Sequence, residues 1–120
     1  MKNNAQTITK AFITVAGDFI QLADNVDEAR SSAGFAVIAW NISLYPKDQI
    51  TEKIDLVAQE YEKSNPDVIK AELLAHDLTI LVDKKRRLFP DIKRIITKIG
   101  VEENKEEYEI ITESEPFEIH

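Results

Sequence analysis

A chain of 120 residues with no cysteine, 43% hydrophobic and 31% charged residues is sized for one hydrophobic core, and it excludes a disulfide framework, a thiolate metal site and a disordered composition. Its formal charge of −7 weighs against a wholesale binder of nucleic acid or anionic membrane. No segment approaches the ~18 apolar residues of a membrane span, and Asp18 interrupts the short apolar run after Lys10, so a cytoplasmic protein is expected rather than a secreted or membrane one.

Along the first segment, about 4–23, Ile8, Phe12, Val15, Phe19 and Leu22 step by four and three, widened by Ala11, Ala16, Ile20 and Ala23. That period predicts an amphipathic helix with one inward face. Asn25 and Glu28 then have capping-box spacing, with Asn in place of Ser or Thr, for a second helix over about 26–44. This helix carries the most apolar stretch of the chain and its single Trp, with no charge from Phe35 to Ser43. A segment apolar on nearly every side must be wrapped by its neighbours. Trp40 and Asn41 are therefore assigned structural roles: a buried indole whose N–H needs an acceptor, and an amide that needs partners in apolar surroundings. Ala33 and Gly34 are expected to let another helix approach closely.

Pro46 suits the first turn of a third helix, about 46–63, whose Ile50, Ile54, Val57 and Tyr61 form a narrow seam. Asn65-Pro66-Asp67 reads as the start of a fourth, about 66–88, with Asn as cap and Pro at the first position. Its apolar residues fall into two stripes, Ile69-Leu73-Ile80 and Leu74-Leu78-Leu81-Val82-Leu88. Two faces imply two contacts. The helix stops at Phe89-Pro90, where Phe89 is given a structural role.

Residues 91–113 are ambiguous. Ile92, Ile95, Ile96 and Ile99 have helical spacing between Pro90 and Gly100, but the segment is dense in β-branched residues and Glu107–Glu113 alternates like a strand. A hairpin over about 92–113 is preferred, with its loop near Asn104, lying on a helix because an isolated hairpin is marginal. It would set Lys93, Arg94 and Lys98 beside Glu107, Glu109 and Glu113. Residues 114–120 read as a frayed acidic tail. The expected fold is thus mainly α: one domain, four-helix bundle-like, with a C-terminal β-hairpin.

The Trp40-Asn41-Ile42-Ser43-Leu44 run with Pro46, the stretch Lys84 to Arg94 containing Phe89-Pro90-Asp91, and Tyr108 resemble a family of small bacterial proteins, often cyanobacterial. In these a Trp-Asn helix and a Phe-Pro-Asp motif lead into a terminal β pair. The resemblance spans roughly residues 35–113. It implies the hairpin and a bacterial cytoplasmic setting, and it carries no activity.

Chemistry-bearing patterns are sparse. Two histidines and no cysteine offer no metal-ligand spacing, the three glycines form no phosphate loop, and His76 and Asp77 project in different directions on a helix, so no catalytic residue, metal or cofactor is assigned. His76 reads as a core-edge residue. Residues 84–98 hold seven basic side chains against Asp91 alone, while 101–120 hold eight Glu against Lys105. Four consecutive helical residues, Lys84 to Arg87, span about 300 degrees and cannot make one flat patch; cations also belong at a helix C-terminus. The expected function is a protein–protein interaction or homodimerising module acting through the surplus stripe, Leu74, Leu78, Leu81 and Val82. The alternative is a nucleic-acid-binding regulator using segment 84–98, with Arg86, Arg87 and Arg94 among its contacts, although the net charge disfavours it. A small-ligand site among Trp40, Asn41, Tyr61 and His76 is a third possibility.

Overall fold

The computed structural model describes residues 4–67 and 70–117. Four helices, α1 (Asn4–Gln21), α2 (Val26–Ile42), α3 (Lys47–Ser64) and α4 (Ala71–Leu88), precede an antiparallel hairpin of β1 (Arg94–Asn104) and β2 (Glu107–Pro116). The fold is mainly α with a C-terminal β-hairpin.

Asn25 caps α2, its side chain accepting the Glu28 N–H at 2.9 Å, while the Glu28 carboxylate reaches back to the Asp24 N–H at 3.5 Å. The start signal at Asn65-Pro66-Asp67 behaves differently. Asn65 is the C-cap of α3, Pro66 and Asp67 form a turn, and α4 begins only at Ala71. A carboxylate from the preceding helix does the capping: Glu62 Oε2 accepts the Ala71 N–H at 3.1 Å. A local signal lost to a tertiary one. Ile69, placed on one of the two stripes of α4, lies outside the described residues, as does His120.

Trp40 is 1% exposed and anchors the core, with Phe12 packed edge-on at 6.0 Å and Ile20, Leu78 and Val82 fully buried around it. Phe35 continues the cluster, between Phe19 at 5.8 Å and Tyr61 at 5.9 Å. Ala33 is fully buried, but a Cβ on Gly34 would meet nothing within 4 Å, so the close approach expected at Gly34 does not occur there.

A two-stranded sheet has two edges, and an uncovered edge is a row of unpaired backbone groups. Here helices cover both. Helix α2 lies along β1, where Trp40 Nε1 donates to Arg94 O at 2.8 Å and Arg30 Nε donates to Val101 O at 3.2 Å. The Asn41 amide pairs with both backbone groups of Ile96, donating to its O at 3.0 Å and accepting its N–H at 2.9 Å. Helix α1 lies along β2, where Gln21 does the same to Tyr108 at 2.9 and 3.0 Å and Thr9 meets Thr112 at 2.7 Å. Each primary amide stands where a third strand would be.

The register explains the ambiguous isoleucines. Arg94 to Ile96 pair with Pro116 to Ser114, a shift falls between Ile96 and Lys98, and Lys98 to Asn104 then pair with Glu113 to Glu107. Thr97 is the extra residue of this bulge. Skipping it returns Ile99 and Val101 to the inward face used by Ile96. A strand that changes parity at a bulge spaces its apolar residues by three, which imitates a helix. The loop is two residues, Lys105-Glu106, rather than a longer one at Asn104, and Lys105 is left-handed with φ 44°. Of the tail expected to fray, residues 114–117 are held in place: Ser114 to Pro116 belong to β2, the Phe117 N–H donates to Lys93 O at 2.9 Å, and its ring packs on Tyr45 at 5.2 Å; residues 118–120 lie outside the described residues.

Candidate functional site

Helix α4 presents its fuller stripe inward. Leu78, Leu81 and Val82 are 0%, 5% and 0% exposed, and Leu74 packs against the same core. The interaction surface expected at Leu74, Leu78, Leu81 and Val82 is therefore occupied by the protein's own interior. Helices α2 and α3 already fill that contact. The surplus lies on the other stripe, where Leu73 is 64% and Ile80 51% exposed.

That stripe borders α1. Val15, Asp18 and Phe19 share one shallow groove with Asp77, Ile80, Leu81 and Lys84. Thr7, Lys10, Ala11 and Thr14 share a second with Phe89 and Ile92. Pairing the end of α1 with the middle of α4, and its start with the residues after α4, makes the two helices antiparallel. Leu22, one residue past α1, is exposed beyond the first groove. Phe89 is half-buried, lines the second groove and packs against the core.

Charge runs along this face. Asp18 and Asp77 stand toward the end where Tyr108 meets the α1–α2 turn, and the hairpin tip there adds Glu102, Glu103, Glu106 and Glu107. The Tyr108 hydroxyl, which donates to Ala23 O at 3.2 Å, is pushed above its ordinary pKa by desolvation and then by Glu103, Asp24 and Glu28. Lys84 shares the first groove with Asp18 and Asp77, and Lys10 and the basic last turn of α4 stand beyond it.

The basic segment does not pair with the acidic strand as expected. Only Lys98 lies opposite one of the three glutamates, Glu113; Glu109 faces Glu102 and Glu107 faces Asn104, because the two-residue turn sets acid against acid at the tip. Among the described residues the one ion pair is Arg30–Asp27 at 3.6 Å. Two of the arginines donate to other oxygens of the protein instead. Arg86 Nη1 donates to Ser43 O at 3.1 Å and Tyr45 O at 3.5 Å, capping the negative end of α2. Arg94 donates to Ser114 Oγ at 2.9 Å and Ser114 O at 3.0 Å. Arg87 is exposed.

Lys85 is the residue sequence reasoning missed. It is 2% exposed, its Nζ 2.7 Å from Ile92 O and 5.0 Å from the Trp40 ring centre. Burial, then Lys93, then Arg86 push its pKa down from 10.5 to about 8. Its position one turn after Leu81 and Val82, on the same stripe, was the available signal; its place in a run of four cations concealed it. Trp40, Asn41, Tyr61 and His76 do not form a shared ligand site: the indole N–H and the amide are engaged with β1, and His76 is exposed rather than at the core edge.

No helix among the described residues is long and apolar enough to cross a membrane. No family model matches the chain, and no curated protein or solved structure matches it either.

Proposed function

We infer that the protein is a self-associating interaction module whose contact is the α1/α4 face. The observation that carries this reading is exposed Ile80 in the wall of an apolar groove between α1 and α4, with exposed Leu73 two turns earlier on α4, exposed Leu22 just past α1 and a second apolar groove farther along α1. The occupant that fits is a second copy. A two-fold axis across antiparallel α1 and α4 places the Asp18/Asp77 side of one copy toward the Lys10 end of the other, so an isologous contact opposes unlike charges. A parallel approach would oppose like ones. Apolar burial of three large side chains per copy, at roughly 1.5–3 kcal/mol each if complete, set against the cost of association, favours a micromolar dimer.

The nucleic-acid reading has less to stand on, since Lys85 is buried and Arg86 and Arg94 are half-buried against the protein's own oxygens, so they present no open basic surface to a strand. Sedimentation equilibrium at tens of micromolar tests self-association. The expected mass is twice the 13.7 kDa of one chain, and Leu73→Glu with Ile80→Glu returns it to a single chain without loss of helical signal. A wild-type chain that remains monomeric at that concentration overturns the reading.

A further inference from the structure

Away from the α1/α4 face, the end of α2, the last turn of α4 and the connection into β1 enclose a cavity of about 140 Å³ lined by Ser43, Lys85, Arg86, Pro90 and Lys93. Three of these five side chains are cations and none is a carboxylate. A buried charge is normally paired, because desolvation without a counter-ion is costly. Lys85 is buried and the described residues give its ammonium one oxygen, that of Ile92, although it has three N–H groups to place. Arg86 approaches from the same helix, fixed by Ser43 O and Tyr45 O, and Lys93 closes the opposite wall from the exposed side. Two routes already supply what a solvated surface would not need: the guanidinium is held rigid and the lysine is kept dry.

We propose that this cavity is a binding site for a phosphate-type dianion, with Lys85, Arg86 and Lys93 as its donors. A tetrahedral oxyanion offers acceptors in several directions to two neighbouring cations of α4 and a third from the connection into β1, and it neutralises more of their charge than a carboxylate. The space is several times the ~30 Å³ share of one liquid water, enough for a phosphoryl group and too little for a base and sugar. The group arrives as inorganic phosphate or as the terminus of a small phosphate monoester. The site uses no residue of the α1/α4 face, so it stands or falls separately from self-association.

The test is titration of the full chain with inorganic phosphate, with glycerol phosphate and with chloride at matched ionic strength, followed by amide shifts and by the thermal midpoint. Saturable shifts confined to the surroundings of residues 43, 85–86 and 90–93 are expected with phosphate and not with chloride. Binding of both phosphates marks a site open to esters; binding of inorganic phosphate alone marks a closed one. Lys93→Ala, at an exposed position, is expected to weaken binding roughly tenfold or more, the range for one charged hydrogen bond. Lys85→Met is expected to abolish it, and Lys98→Ala to leave it unchanged. Shifts that rise linearly and match those in chloride overturn the proposal, as does undiminished binding by a folded Lys85→Met chain.

Discussion

Replacing Lys85 with Met asks what a buried ammonium without a carboxylate does to stability. Its pKa in the folded chain, about 8, lies below the ordinary 10.5, so the unfolded chain holds the proton more tightly. The penalty is complete below pH 8 and disappears as pH rises from about 8 to 10.5, a window in which wild-type stability climbs. At about 1.4 kcal/mol per pH unit, the gap amounts to about 3 kcal/mol. Met has the length to fill the same channel beside Trp40 but leaves the Ile92 carbonyl without its donor, a loss of about 1–2 kcal/mol. The variant is therefore expected to be more stable than wild type by about 1–2 kcal/mol at neutral pH. Around pH 10 that advantage shrinks by about 2 kcal/mol and vanishes, because the wild-type lysine is then largely neutral. Tyr108, whose raised pKa contributes stability that is lost as pH rises above its ordinary value, is common to both chains and cancels in the difference. Urea unfolding of both chains in phosphate-free buffer at the two pH values measures it. A difference in stability that is the same at both refutes the reasoning, as does a Met variant less stable than wild type at neutral pH.

Four other perturbations read the hairpin and its helices. Asn41→Ala leaves both backbone groups of Ile96 without the partners that the amide supplied, and is expected to lower stability by about 2–4 kcal/mol in denaturant unfolding. Gln21→Ala makes the same deletion at the exposed Tyr108 edge, where water replaces the amide, and is expected to cost about 1 kcal/mol or less; equal losses at the two sites would contradict the difference in burial. Lys105→Gly relieves a left-handed residue at the turn and is expected to raise stability by roughly 0.5–1 kcal/mol, read as a thermal midpoint higher by a few degrees. Gly34→Ala, within α2 and with open space around the added Cβ, is expected to gain a similar amount; a loss would mean that a neighbour lies closer than the structure places it.

Periodicity and capping chemistry made much of the framework legible. The i, i+3, i+4 steps of Ile8 to Phe19 gave α1, although Leu22, read as the next inward step, lies past its end and is exposed; Asn25 with Glu28 gave the start of α2, and the charge-free run around Trp40 marked the centre of the core. These are properties of one helix and its immediate neighbours, so they can be read locally. The β1 isoleucines resisted the same treatment because a bulge at Thr97 changes the inward parity, and no local rule announces a bulge. Asn65-Pro66-Asp67 misled for a related reason: Glu62, from another helix, supplies the cap at Ala71.

The candidate sites depended still more on tertiary placement. Composition and period act through single elements, and they were enough to establish that four helical segments precede a β-rich end, that Trp40 is interior, and that cations and acids are segregated. They could not determine which stripe of α4 turns inward, because both are apolar and only the packing of α1, α2 and α3 decides between them. Nor could they separate Lys85 from Lys84, Arg86 and Arg87. That distinction arises only when the strand leader brings Ile92 and Lys93 against the last turn of α4, where desolvation acts on one cation of four.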